Sequence, residues 1–382
     1  MTPSTFRKER PLRLADMIDC ALKQRLYYMK VGLYIHVPFC LSKCPYCDFY
    51  SVRYSREKAR EYADAVIRNV RAYGERYDTV YFGGGTPILL YEYIGDILRA
   101  ADIAEGAEIT VEANPCAVTD RTAEMLASAG VNRVSLGVQS MQEDELRFLG
   151  RRHTPAQVQD AFARLKAAGI ANISADMMIG LPGQDEERIS ETAEALARLG
   201  AVHISAYILK IEENTPFAGM DIALPDDDRT AEMYLYTGKL LAERGYKQYE
   251  VSNFTLPGYE CRHNLKYWRC EEYIGIGAAA HSYYRGNRFR VLPDTGAFMA
   301  AETQDTEVTD ENAGGWEEYA MLRLRLSEGI TFADAERFGK AEALRAAAQK
   351  LPARLVSISE NGVNLTPEGF LVSNAVIAEL VF

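Results

Sequence analysis

Short runs of β-branched, aromatic and other apolar residues recur along the chain. VGLYIHV (31–37), TVYF (79–82), EITVEA (108–113), RVSLGV (133–138), ISADMMI (173–179), HISAYIL (203–209) and QYEV (248–251) read as strands. Amphipathic or Ala-rich stretches such as 120–130 and 155–168 lie between several of them, and this alternation predicts an α/β fold. From about Glu311 the pattern changes: a helix at WEEYAMLRLRL, a break at Gly329, further helices, then VSISENGVNL and a helix beginning near Thr366 and Pro367. Two short strands about the ENG turn make residues 313–382 a smaller α+β, winged-helix-like unit. Residues 291–312, with Pro293 and the acidic run ETQDTEVTDEN, read as the linker before it.

At 382 residues the chain is long enough for two domains, or for one large α/β domain with an appendage. Hydrophobic residues at 48% and charged residues at 25% are those of a globular protein and exclude a disordered or fibrous chain. Forty-three Lys and Arg against 54 Asp and Glu leave a net charge of −11, which disfavours nucleic acid as a partner and adsorption to anionic lipid. No apolar run is long enough to span a bilayer and the first residues lack a secretory signal, so a cytoplasmic protein is expected. Seven cysteines, three of them crowded into eight residues, make a poor disulfide framework and a plausible metal or cluster site.

Pro38 stops the first strand and opens CLSKCPYC, where Cys40, Cys44 and Cys47 form C-x3-C-x2-C. Three thiolates on one loop can hold three corners of an iron–sulfur cube, leaving its fourth iron open to a substrate. Closed zinc sites need four ligands, and neither His36, on the strand, nor Phe49 completes this trio; zinc stays the second reading. Cys261 and Cys270 read as reduced spectators, and Cys20 and Cys116 carry no motif. GGGTP (83–87) brings backbone N–H groups close to a small ligand, or makes a tight βα turn. Asp176, inside an apolar strand, needs a partner to offset a desolvation cost of several kcal/mol.

The cysteine loop in its context GLYIHVPFCLSKCPYCDFYS, with GGGTP, GLPGQ (180–184) and HNLKYW (263–268), resembles the radical S-adenosylmethionine (SAM) family. The likeness spans about residues 31–382 and falls in the subgroup of oxygen-independent coproporphyrinogen III oxidases and haem chaperones. It implies a partial (β/α)6 barrel over residues 31–255, a [4Fe–4S] cluster on Cys40, Cys44 and Cys47, and SAM on the open iron. It also implies that Gly84, Gly85 and Thr86 hold the methionyl amine and that Tyr34, Glu112, Gln139, Arg151 and Asp176 contact SAM, while Tyr46 shields the cluster. Arg152 reads as a surface charge, and Gly180, Pro182 and Gly183 as turn residues.

HNLKYW is similar to the HNxxYW pattern of the haem chaperone branch, which implies haem contact by His263, with Tyr267 and Trp268 offering flat apolar surface. Without the resemblance, His263 reads as part of a loop packed against the barrel. Residues 256–290, including GIGAAAHS (275–282), are expected to close the barrel. The oxidases carry a further cysteine two positions after the third ligand, where this chain has Phe49. The resemblance therefore implies a haem chaperone delivering haem to acceptor proteins, with radical decarboxylation of porphyrin propionates as the alternative and no catalytic residue assigned. Membrane association is expected only through a client, and a homodimer is compatible with the sequence. Met29 fits the start of such chains, so residues 1–30 are an extension given no role.

Overall fold

Val31–Val37 forms the strand β1, and its outward side chains Leu33, Ile35 and Val37 are fully buried. The computed structural model describes residues 31–311 and 313–382, so the extension 1–30 lies outside the described residues. Two short strands, β2 (Phe39–Cys40) and β3 (Val52–Arg53), pair with each other and pinch the ends of the cysteine loop together. Then β4 (Arg76–Gly84), β5 (Asp102–Ala113), β6 (Arg133–Gln139), β7 (Asn172–Ile179) and β8 (His203–Ile208) follow β1 in order, every neighbouring pair parallel. This is the six-stranded partial barrel that the resemblance to the radical SAM family implies.

Helices between the strands cover its outer face. Local chemistry fixes their ends: Thr119 and Thr154 make capping boxes with Thr122 and Gln157, and Gly74 and Gly200 end their helices in the left-handed region. Period-two alternation gives the strands two unlike faces. Outward residues such as Val80, Phe82, Val111, Leu136 and Ile204 form the apolar core under the helices. Inward residues are polar or aromatic and meet in cross-strand rows, Tyr34–Tyr81–Thr110–Arg133 and Glu112–Ser135–Ser174–His203.

Both edges depart from the sequence reading. QYEV is not a parallel strand: only β9 (Lys247–Gln248) pairs, antiparallel to β10 (Asn253–Thr255), and β10 runs antiparallel to β8. The chain doubles back there because Glu250 makes an isolated bridge to Leu326 and the Ala206 N–H donates to the Ser252 carbonyl. At the other edge β11 (Tyr273–Ile276) lies parallel to β1, and β12 (His281–Tyr284), β13 (Asn287–Val291) and β14 (Thr306–Asp310) extend the sheet antiparallel. The expected linker 291–312 thus carries a helix, Thr295–Ala300, and an edge strand. Phe298 packs on Tyr62 with ring centroids 4.9 Å apart, and the buried Gln304 amide donates to the Gly275 carbonyl. The acidic run looked like a solvated loop because its carboxylates, such as Glu307 beside Arg290, lie on an exposed edge.

The tail folds into a three-stranded antiparallel sheet, β15 (Ile330–Thr331), β17 (Gly362–Leu365) and β16 (Val356–Ile358), with helices against it. It joins the barrel through the Glu250–Leu326 bridge and an Arg269–Glu328 ion pair at 3.0 Å, and residues 31–382 form one compact unit.

A short helix, Arg262–Trp268, plugs the barrel at the end away from the cysteine loop. Glu108 anchors it by accepting the backbone N–H groups of Arg262 and His263, both at 3.1 Å. Lys266 reaches Asp78 at 2.9 Å, and the His263 ring bonds to the Thr79 hydroxyl. Glu108 also faces the fully buried Arg133, whose charge it helps to offset. Glu108→Ala would strand two N–H donors and weaken the compensation of that charge, so urea unfolding should show a loss of about 2–4 kcal/mol.

Candidate cofactor site

The pinched loop presents Cys40, Cys44 and Cys47 as free, half-buried thiols. A turn closed by the Cys47 N–H donating to the Cys44 carbonyl at 3.1 Å draws two of them together. Burial raises the Cys47 thiol above its ordinary pKa, and the nearby Cys44 and Cys40 thiols push it further. Two donors aim at the sulfurs: the Thr86 hydroxyl at Cys40 Sγ, 3.7 Å away, and Arg151 Nη1 at Cys44 Sγ, 3.6 Å away. Among the described residues no three His, Cys, Asp or Glu converge on a single metal ion. Three thiols on one loop with hydrogen-bond donors behind them suit a cube, whose irons are ligated separately, better than one zinc.

The strand ends face this loop. Gly84 has φ of +112°, and its N–H donates to Glu112 at 3.1 Å while the Tyr81 hydroxyl donates to the same carboxylate at 2.9 Å. Gly85 is required by close approach: a Cβ there would lie 2.7 Å from the Phe39 carbonyl oxygen. Gln139 ends β6 with φ of +71°, a conformation that residues other than glycine rarely adopt. Arg151 donates to the Gly137 carbonyl at 2.6 Å and to Asn114, which in turn donates to Thr86 at 3.2 Å. Asp176 accepts from the Ser135 hydroxyl at 3.3 Å, and burial raises its pKa. Tyr34 stands beside Gly83 and bonds to His36 at 3.1 Å. Tyr46 packs near Phe217 in a small apolar cluster flanking the loop. The fold thus gathers Cys40, Cys44, Cys47, Tyr34, Tyr46, Gly84, Gly85, Thr86, Glu112, Gln139, Arg151 and Asp176 at one end of the barrel.

Below them lies a chamber of about 390 Å³, walled by Tyr34, Tyr81, Tyr207, Tyr267 and Trp268, with the carboxyls of Glu112 and Glu250 in its lining. Burial pushes both carboxyls up to about 7. Oε1 of Glu250 and Oδ1 of Asn253 have no hydrogen-bond partner among the described residues.

His263 does not join the site as expected. Its ring is fully buried behind Tyr34 and Tyr81, with Nδ1 bonded to Thr79 and Nε2 to Tyr267, both at 2.8 Å. With both nitrogens hydrogen-bonded, it holds the plug helix to the wall. Arg152 is exposed, and His153 is a structural residue bonded to the Val138 carbonyl.

A comparison with protein families matches residues 34–196 to the Radical SAM superfamily and residues 315–372 to the HemN C-terminal domain. Among curated proteins, "Heme chaperone HemW" of Lactococcus lactis is 38% identical over 310 residues, covering 78% of this chain and 82% of that protein. The protein of the same name from Bacillus subtilis is 35% identical over 374 residues, covering 90% and 97%. The chain belongs to the HemW family of radical SAM proteins. Among solved structures, coproporphyrinogen III oxidase (HemN) from Escherichia coli aligns with a TM-score of 0.77 over 95% of this chain and 93% of that one. At 18% identity this shows the shared fold alone.

Within this HemW-family site, sequence reasoning missed the supporting residues. Asn114 ties Arg151 to Thr86, Tyr81 holds Glu112, and Glu250 sits opposite it in the chamber. Tyr81 was findable, since it stands two residues before Gly83 and therefore faces inward with it. Glu250 was not, because it lies in a segment read only as one more strand.

Since both chamber carboxyls titrate near 7 in the fold and in the ordinary carboxylate range when unfolded, their protonated forms favour the fold. That contribution is complete below the unfolded value and is lost as pH rises through about 7. Denaturation of the ligand-free protein across this window should show the decline, and Glu112→Gln and Glu250→Gln should each flatten it.

Proposed function

We propose that this protein is a haem chaperone that carries a [4Fe–4S] cluster, binds SAM beside it, and delivers haem to haem-dependent acceptor proteins. The observation that carries the reading is the match, at 38% identity and over most of both lengths, to curated heme chaperones, joined to a three-thiol loop backed by Thr86 and Arg151. A bound cluster of this class supplies an electron-transfer centre with one iron open to SAM.

The chain's own residues prepare that position. Arg151 and Thr86 direct positive dipoles at the sulfurs that would ligate the irons, favouring their thiolate forms. Gly84, Gly85 and Thr86 would hold the methionyl amine, and Glu112, fixed from both sides by Tyr81 and Gly84, would stand close to SAM. Gln139, Arg151 and Asp176 provide polar contacts around the rest of SAM. Phe217 and Tyr46 cover the flank of the loop and limit water there. Residues 315–372, matched to the HemN C-terminal domain, stand beside the barrel and offer a surface to an acceptor protein.

Cys44→Ala, prepared anaerobically, should lose the cluster's visible absorbance and its iron, while keeping the far-ultraviolet spectrum of the fold. Retained iron would remove Cys44 from the ligand set. Wild-type protein with an intact cluster, SAM, a strong reductant and coproporphyrinogen III should form no protoporphyrinogen, and haem-loaded protein should transfer haem to an apo-haemoprotein. Formation of protoporphyrinogen would make it a decarboxylating enzyme instead.

A further inference from the structure

The chain has five histidines, and four of them are committed. His36 bonds to Tyr34 and to the Tyr50 carbonyl, His153 to the Val138 carbonyl, His203 to Ser174 and Tyr249, and His263 to Thr79 and Tyr267. His281 differs: it is exposed at the start of β12, and no hydrogen bond to its imidazole is found among the described residues. It opens on a second cavity, of about 420 Å³, between the cysteine loop and the sheet extension.

That cleft differs from the chamber described above in carrying an imidazole where the chamber carries the carboxyls of Glu112 and Glu250. Tyr34, Phe49, Tyr50, Tyr267 and Tyr273 line it together with His281. Phe49 is 65% exposed, an unusual setting for a large apolar side chain unless something covers it. A flat apolar macrocycle suits walls of this kind, and imidazole is the common protein ligand for its iron. His281 is open on one side only, and the desolvation of its covered side first, then the charges of Arg290 and Arg288, hold its pKa below the ordinary value, which keeps a lone pair available at neutral pH. Arg290 is the direct cross-strand neighbour of His281 on β13, paired with Glu307, and Arg288 follows on the same face, paired with Glu318. Asp48 is the acidic side chain of the lining, so anionic propionates are directed away from it, to the open side of the cleft.

We propose that haem docks in this cleft beside the cysteine loop, its ring against Phe49, Tyr50 and Tyr273, with His281 as an axial ligand to the iron. The assignment rests on the haem-chaperone reading and adds to it the position of the cargo and the residue that binds the metal. It replaces His263, whose nitrogens are both occupied, with the histidine whose imidazole has no hydrogen-bond partner among the described residues.

The test is titration of the full-length, cluster-reconstituted protein with hemin under anaerobic conditions, followed by absorbance and resonance Raman spectroscopy. Wild type should bind with the signature of an imidazole ligand. His281→Ala and the similarly sized, weakly ligating His281→Gln should both lose that signature and weaken binding by about tenfold or more. Iron content and melting temperature should remain those of wild type, because the side chain is exposed. Wild-type affinity and an unchanged signature in both variants would overturn the site and leave the chaperone reading standing. Failure of the wild type itself to bind hemin would instead remove the chaperone reading, and this inference with it.

Discussion

A parallel sheet buried on both faces is normally apolar on both, and this one is not. Its inner face carries Arg133, Glu108, Glu112, Asp176, His203 and a set of hydroxyls, and each must find a partner where water is scarce. The arrangement of the molecule follows from that constraint. His203 is held between Ser174 and Tyr249, Asp176 accepts from Ser135, and Glu112 accepts from Tyr81 and Gly84. Arg133 is the hardest case, because its guanidinium is fully buried and Nε and Nη2 lack a hydrogen-bond partner among the described residues. Glu108 and the plug helix lie where they lower that cost, so the helix is part of the electrostatic closure of the barrel as well as its plug.

At the other end of the strands the controlling contacts are between backbones. The Gly85 N–H donates to the Val37 carbonyl at 2.8 Å, and the same glycine lies against the Phe39 carbonyl. This brings the end of β4 against the start of the cysteine loop with no side chain between them. Thr86 is thereby placed to reach Cys40, and Asn114 and Arg151 extend the network to Cys44. The polar network and the thiols are therefore one unit, set by two adjacent glycines.

Legibility in the sequence followed from how local each feature is. The six parallel strands and their helices were readable because periodicity and capping are encoded within each segment, as at Thr119 and Thr154. The cysteine loop and GGGTP were readable because their chemistry is contiguous. The edges were not. QYEV has the composition of a strand, yet its pairing is decided by Leu326, far along the chain, and the acidic run 302–312 hides an edge strand stabilised by arginines from β13. Haem contact by His263 came from the likeness to HNxxYW alone; its residues by themselves read as a packed loop, and the partners that pack it, Thr79 and Glu108, lie far away in the chain.

The two cavities share a wall. Tyr34 and Tyr267 line both the chamber beneath the strand ends and the cleft beside the cysteine loop. Neither ring is independent: Tyr34 is hydrogen-bonded to His36, and Tyr267 to His263, which is itself fixed by Thr79 and by its place at the amino end of the plug helix. A displacement of either ring changes the shape on both sides at once. The HNLKYW segment thereby acquires a structural role, since His263 holds the Tyr267 ring that lines both spaces.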